Sequence, residues 1–341
     1  MAEFDIFNAP KTKVVKGVEG KSLLIHSDSV KCGKTTVGSQ MPKPFYLRFE
    51  QGANAIDGLD YAPLTSWSDF KKVNRQLTNP KTVEQARAKY TTLIFDTVDI
   101  AIKWCGKYIC SKYGVERLKE GNSGYGLWTE YADEWFNEIN ALLNAGYFLY
   151  FISHSEPKKQ VDGITGEEYE QLNPKGDKRT IDLVVEACDL IGYVKSNGVN
   201  EDGSIIKSSC YFAETKEYKA GTRFEHMPRV LKEFSAKSLQ DAIKLAVELK
   251  EKETGNKSVT FDEHKIEEAK EKKEYTLEEI IAEIKPLVKS LWKKPNIDEI
   301  KDIFSRNLGI EVSELDNMTS KQMPQLEITL FELKGLGSDT K

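Results

Sequence analysis

The sequence has no long apolar run, no cysteine pair of the metal-binding kind and no excess of basic charge. No stretch approaches the roughly 18 consecutive apolar residues that cross a membrane, and the opening MAEFDIFNAPK lacks the apolar centre of a signal peptide. The five cysteines form no C-x-x-C motif, and their odd number fits a reducing compartment. We therefore expect a soluble intracellular protein without disulfides, structural zinc or a membrane partner.

The overall charge is slightly acidic, with 49 Lys and Arg against 54 Asp and Glu and a formal net charge of −5. The chain therefore lacks the global positive field that captures nucleic acids by releasing counterions. Any DNA binding must rest on local patches. Three short basic runs are candidates, although each is more often ordinary solvated surface: 71–75, Lys158-Lys159 and Trp292-Lys293-Lys294.

The pattern of apolar residues predicts an α/β fold. Short apolar segments predict four strands, at residues 22–26, 45–49, 91–95 and 147–152. Apolar residues at three- and four-residue spacing predict two long helices, at residues 98–113 and 125–143. Alternation of strands and helices is typical of a mainly parallel sheet that is covered on both faces.

A change in composition divides the chain. Residues 248–274 carry many charges of both signs and few apolar side chains, which predicts a solvated linker or an exposed helix. The linker would separate a large domain over 1–247 from a small helical domain over 275–341, where Thr276 and Glu279 predict a capping box. On this division, a chain cut near Glu253 should fold and bind ATP but lose partner or DNA engagement. The alternative is that the helical segment is a lid packed on the core.

A phosphate-binding loop is predicted after the first strand. Asp28-Ser29-Val30-Lys31-Cys32-Gly33-Lys34-Thr35 has the spacing G-x-x-x-x-G-K-[ST], with Asp28 in place of the first glycine. Lys34 supplies the charge for the phosphates and Thr35 a hydroxyl for Mg²⁺, while the Asp28 carboxylate should face away from the nucleotide. The alternative is a chance turn before a helix. We expect eight residues to contact ATP, with the Lys31 and Cys32 side chains exposed: Ser29, Val30, Lys31, Cys32, Gly33, Lys34, Thr35 and Thr36.

Polar residues end three of the predicted strands. Asp96 is the Walker-B candidate, a second metal ligand beside Thr35, and the alternative is a cap for the next helix, where Asp99 is a weaker candidate. Glu50 is either a base for the attacking water or a surface carboxylate. His154 is either a sensor of the γ-phosphate or a structural histidine.

Five segments within about residues 20–230 carry a resemblance to a known family through their sequences and their order: SDSVKCGKTT, FYLRFEQGANAI, TTLIFDTVD, FLYFISHSE and KEYKAGTRF. They resemble the phage nucleotide-binding proteins with a RecA-like, AAA-type core, which include RecA-like single-strand annealing proteins. The resemblance implies a RecA-like P-loop ATPase fold, ATP with Mg²⁺, and Glu50 as the water-activating residue. It also implies the host cytoplasm if the chain is phage-encoded. Asp28 and Arg48 depart from the family pattern.

The last of these segments suggests assembly. It looks like the part of RecA-like ATPases that reaches a neighbouring subunit's nucleotide, so Arg223 is a candidate for stabilising the γ-phosphate in trans. A solvated turn around Gly221 is the alternative. If Arg223 does act in trans, the chain must form a ring or filament to be active.

Three functions are compatible with these features. The first is an ATP-dependent phage DNA recombination or annealing protein that acts on single-stranded DNA. The second is a nucleotide-dependent interaction module, with little hydrolysis, whose helical domain recruits a replication partner such as a single-strand binding protein. The third, a small-molecule kinase, is disfavoured because no arginine-rich lid follows Asp96.

Overall fold

The structure, a computed structural model, describes residues 11–50, 56–271, 275–293 and 296–338. These residues divide into two compact units, one ending at Ile266 and the other beginning at Glu267. Part of the predicted segment FYLRFEQGANAI, residues 51–55, and Lys294 of the third basic run lie outside the described residues.

The first unit is built on a mostly parallel sheet. Within the described residues its order is β10-β8-β7-β1-β5-β4-β2-β3, with β6 paired to β5 and β9 to β7. All neighbours from β7 to β3 in this order are parallel. The strands are β1 (Ser22–Ser27), β2 (Pro44–Arg48), β3 (Tyr61–Pro63), β4 (Thr92–Asp96), β5 (Phe148–Val161), β6 (Glu168–Pro174), β7 (Leu190–Lys195), β8 (Ser209–Tyr211), β9 (Gly221–Thr222) and β10 (Val230–Leu231).

Helices cover both faces of this sheet. Successive residues of β4 show why, because Leu93 and Phe95 belong to one apolar cluster and Ile94 to another. A strand that is apolar on both faces requires a layer on each. The predicted α/β class is thus confirmed. The helices of this unit are α1 (Lys34–Ser39), α2 (Trp67–Thr78), α3 (Val83–Lys89), α4 (Val98–Tyr113), α5 (Trp128–Asn144), α6 (Lys178–Ala187) and α7 (Ala236–Thr254). Helix α8 (Phe261–Glu271) begins in this unit and runs past its last residue, Ile266.

Parallel pairing brings the carboxyl ends of three strands, β1, β2 and β4, and the middle of β5 to one edge. Ser27 at the end of β1 lies opposite His154 of β5, and Asp96 at the end of β4 lies opposite Arg48 of β2. β5 runs between β1 and β4. The loop after β1 therefore opens on the same edge as the residues that follow β2 and β4.

The predicted linker is mostly helical and partly joined to the first unit. Helix α7 continues through residue 254, and α8 starts at Phe261. Val259 exchanges backbone hydrogen bonds with Val14 and Lys16, while Arg87 forms an ion pair with Asp262 at 2.7 Å. Val259 and Asp262 are isolated contacts in a strongly charged segment, so they produce no periodic pattern of apolar residues. Composition alone therefore indicated a linker.

Two truncations would locate the end of the first unit. A chain ending at Glu271 should unfold thermally like the corresponding transition of the full chain. A chain ending at Glu253 should be less stable by about 2 kcal/mol, the scale for burying one aromatic side chain, because the Phe261 ring covers the backbone at Gly20 and Gly146. Circular dichroism melts of the two truncations measure this. Equal melting temperatures would show that residues 254–271 contribute nothing.

The second unit is a small helical body. It comprises α9 (Leu277–Leu291), α10 (Asn296–Leu308) and α11 (Met323–Ser338), which pack around an apolar cluster including Ile284, Phe304 and Leu330. Helix α9 begins with the predicted capping box, because Thr276 N–H donates to Glu279 Oε2 at 2.8 Å and Glu279 N–H donates to Thr276 Oγ1 at 3.2 Å. Among the helices described, none is long and apolar enough to span a membrane.

Candidate nucleotide-binding site

The loop between β1 and α1 has the backbone of a tight turn into a helix. Gly33 precedes the helix with φ 90° and ψ 7°, a conformation that favours glycine, and its carbonyl accepts the first helical hydrogen bond from Val37 at 2.9 Å. Lys31 is the other residue of this loop with positive φ, at 59°. Asp28, in the first-glycine position, does not have a positive φ.

A threonine hydroxyl and a buried carboxylate meet next to this loop. Thr35 Oγ1 donates to Asp96 Oδ2 at 2.7 Å, and Tyr46 OH donates to the same oxygen at 3.2 Å. Burial raises the pKa of Asp96, and the two hydroxyl donors partly offset that rise. Hard oxygen ligands in this arrangement fit Mg²⁺, which would favour the ionised carboxylate. Asp96 does not cap α4, because the N-cap residue of that helix is Thr97 and no side chain makes a capping hydrogen bond there.

Glu50 stands beside this pair. The Phe49 and Glu50 N–H groups donate to the Asp96 carbonyl at 3.0 and 2.9 Å, and Thr97 Oγ1 donates to Glu50 Oε2 at 3.3 Å. Burial, and then the negative charge of Asp96, raise the pKa of Glu50. A half-buried carboxylate with a raised pKa is suited to accept a proton from water.

His154 completes the edge from the β5 side. Its Nδ1 lies 3.2 Å from Asp99 Oδ2, and this hydrogen bond raises the pKa of His154. Burial alone would raise the pKa of Asp99, but hydrogen bonds from His154 and Thr97 lower it overall. The imidazole remains 41% exposed. It is therefore both hydrogen-bonded and open to a ligand.

One loop side chain, that of Cys32, differs from expectation. Cys32 is not exposed, because only 7% of its surface is accessible and its carbonyl accepts a hydrogen bond from Ser208 Oγ at 2.9 Å. Its sulfur joins the apolar cluster on one face of the sheet. Val30, by contrast, is 78% exposed. The prediction for the Cys32 side chain was wrong because sequence spacing does not show which loop residue turns inward.

Arg223 lies at the opposite edge of the sheet. Its guanidinium is 3.3 Å from Asp189 Oδ1 and donates to the Glu186 carbonyl at 2.6 Å, and both partners precede β7. The structure therefore brings Lys34, Thr35, Glu50, Asp96 and His154 to one edge but not Arg223. Action of Arg223 on ATP would have to be on the nucleotide of another chain.

Two buried residues near the site were missed. His26 is fully buried in β1, where Nδ1 lies 2.8 Å from Ser155 Oγ and Nε2 lies 2.7 Å from the Lys219 carbonyl. Burial lowers its pKa to about 4, so the imidazole is neutral at physiological pH. Tyr46, the second missed residue, lies in a predicted strand. Strand alternation would have placed it on one face, but not against Asp96.

Fold and site together define a P-loop nucleotide-binding protein: a mostly parallel sheet, a Gly33-Lys34-Thr35 loop after β1, and the Thr35–Asp96 pair at its edge. Similarity to known proteins agrees with this assignment. Residues 21–224 match the family described as AAA domain, so the chain belongs to that family. It is also 40% identical, over 97% of its length and 98% of the relative's, to the SPbeta prophage-derived uncharacterized protein YorG of Bacillus subtilis (strain 168). Membership of the AAA domain family supports ATP binding.

Proposed function

We propose that this protein hydrolyses ATP and acts on single-stranded DNA in phage recombination or annealing. The observation that supports action on DNA is a lysine-lined cleft. Its backbone is hydrogen-bonded to Ser153 and His154, at the edge of the sheet that carries the candidate nucleotide site. The prophage-derived relative and the resemblance of the five segments favour the same class of function.

The cleft lies between α6 and the hairpin formed by β5 and β6. The cavity there has a volume of about 150 Å³, and Lys158, Lys159, Lys178 and Lys219 line it, together with Asp182. Lys219 pairs with Glu214 at 3.2 Å and Lys158 pairs with Glu156 at 3.6 Å, whereas Lys159 and Lys178 form no ion pair among the described residues. These two lysines therefore supply the positive charge that binding of a phosphate backbone requires. The basic run at 71–75 is a poorer candidate, because Lys71 is paired with Glu134 and Glu138 at 2.6 and 3.2 Å.

Hydrogen bonds join the cleft to His154, the candidate γ-phosphate sensor. Lys175 N–H donates to the His154 carbonyl at 2.9 Å and to Ser153 Oγ at 3.3 Å. Lys158 Nζ donates to the Gly176 carbonyl at 2.9 Å. A shift of His154 towards a bound nucleotide would therefore move the backbone at the mouth of the cleft. DNA binding and ATP hydrolysis would be coupled through this hairpin.

Self-association into a ring or filament is part of the proposal. Arg223 cannot serve its own phosphate loop from the far edge of the sheet, so its predicted role requires a neighbouring chain. Turnover per chain that rises with protein concentration would support assembly, and turnover independent of concentration would argue for an active monomer.

ATP hydrolysis with and without single-stranded DNA, measured across salt concentrations, tests the proposal. We expect DNA to stimulate turnover. The double variant Lys159→Ala/Lys178→Ala should weaken DNA binding, and the slope of log affinity against log salt concentration should become shallower by about one unit per lost phosphate contact. Lys237→Ala/Lys244→Ala, on the exposed side of α7, is the matched control. Absence of any DNA effect on the wild type would reject the DNA part, and a phosphorylated small-molecule product would select a kinase.

A second candidate is a nucleotide-dependent interaction module that recruits a replication partner, such as a single-strand binding protein. Helix α11 favours it, because Ile328 and Phe331 are 51% and 58% exposed on the second unit, and adjacent exposed apolar side chains are typical of interaction surfaces. ATP binding without measurable turnover, together with ATP-dependent capture of a single-strand binding protein that Phe331→Ser abolishes, would favour this function over the first.

A further inference from the structure

An aspartate occupies the first-glycine position of the phosphate loop and is held by a tyrosine from the neighbouring strand. Asp28 is exposed, and its Oδ1 accepts a hydrogen bond of 2.8 Å from Tyr193 OH. A free carboxylate at this position would place negative charge beside incoming phosphates, where like charges repel. A nucleotide-binding loop with Asp28 therefore needs a means of keeping that carboxylate away.

Tyr193 is fixed in position by its surroundings. It lies in β7 opposite His26 of β1, and only 5% of its surface is accessible. Its ring stacks on Tyr218 with centroids 4.4 Å apart and planes at 11°. Burial, and then the adjacent Asp28 carboxylate, raise the pKa of Tyr193. The hydroxyl thus stays protonated as a donor, on a ring that cannot turn away without losing its stacking.

We propose that Tyr193 is a positioning residue for nucleotide binding: its hydroxyl holds the Asp28 carboxylate against β7 and out of the phosphate cradle. This inference rests on the proposed ATP site at Gly33-Lys34-Thr35. It explains how the loop tolerates Asp28, since a charge-assisted hydrogen bond both orients the carboxylate and disperses its charge. The strand next to β1 is then part of the nucleotide site through Asp28, although Tyr193 itself does not touch the phosphates.

Four variants test the pair through the affinity for a fluorescent ATP analogue with Mg²⁺. Tyr193→Phe keeps the stacked ring and should weaken binding about fivefold to tenfold at low salt, on the scale of a lost hydrogen bond to a charged group. The loss should shrink as salt is raised, because screening weakens repulsion from an exposed charge. Asp28→Asn should bind at least as tightly as the wild type, and Asp28→Asn/Tyr193→Phe should match Asp28→Asn.

Tyr218→Phe is the matched control, because it removes a hydroxyl from the same aromatic stack without touching Asp28, and its affinity should equal that of the wild type. Equal affinity of Tyr193→Phe and wild type would overturn the proposal. So would an equal loss from Tyr193→Phe in the Asp28→Asn background, since that would be a structural effect independent of the carboxylate. These outcomes leave the ATP site intact, whereas a wild-type chain that fails to bind the analogue overturns both the site and the pair.

Discussion

Replacing Lys34 by alanine should lower the affinity for ATP with Mg²⁺ by about tenfold to a hundredfold, the range for losing hydrogen bonds to charged groups worth about 1.5–3 kcal/mol. The side chain is half-buried at the start of α1, and its ammonium lies 3.8 Å from the Cys32 sulfur, a weak contact. The backbone carbonyl of Lys34 accepts a hydrogen bond from Tyr150 OH at 3.0 Å, and this bond remains in the alanine variant. The loss should therefore be one of phosphate binding and not of folding.

The measurement is titration with a fluorescent ATP analogue, combined with thermal unfolding of each variant. Lys195→Ala is the control, because Lys195 is an exposed lysine at the carboxyl end of β7, on the same edge of the sheet. It should bind the analogue as tightly as the wild type does. Unchanged affinity in Lys34→Ala, with an unchanged melting temperature, would show that the G-K-T segment is a chance turn before a helix.

Much of the sheet could be predicted because each central strand is an apolar run that ends in a polar residue. The helix predicted at 98–113 is α4, Val98–Tyr113, and it stops where Gly114 adopts φ 67°. Parallel pairing then places the ends of β2 and β4 side by side, so Glu50 and Asp96 could be predicted to share an edge. That inference needs only strand direction, which alternation with helices supplies.

Features that depend on polar pairing could not be predicted in the same way. Strand β5 continues to Val161, well beyond the apolar segment at 147–152, because its polar half pairs with β6. No apolar periodicity marks such a hairpin. The contact between Tyr193 and Asp28 joins positions 165 residues apart. Sequence could suggest that the carboxylate turns away from the nucleotide, but it could not name the donor that holds it.

Replacing Glu50 by glutamine should lower the rate of ATP hydrolysis by about a hundredfold to ten-thousandfold, the usual contribution of a general base, while ATP with Mg²⁺ still binds. Glutamine keeps the shape of the side chain and an oxygen that can accept the hydrogen bond from Thr97 Oγ1. Single-turnover hydrolysis separates the chemical step from binding. The Thr35–Asp96 pair is untouched, so the affinity should stay within about threefold of the wild type.

The pH dependence of the wild-type rate gives a second measure of the same group. The base must be ionised, and burial with the nearby Asp96 charge raises the pKa of Glu50 above the ordinary 4.5. Turnover should therefore decline as the pH falls through this raised pKa, at a higher pH than an exposed glutamate would show. In Glu50→Gln the residual rate should lack that decline.

Glu201→Gln is the matched control, because Glu201 is an exposed glutamate in the loop after β7, which leaves the same edge of the sheet. Its rate and pH profile should equal those of the wild type. Wild-type turnover in Glu50→Gln would return Glu50 to the status of a surface carboxylate and move the search for the base to His154. Loss of ATP affinity together with turnover would instead mean that Glu50 holds the loop after β2 in place, since its N–H and that of Phe49 both bond to the Asp96 carbonyl.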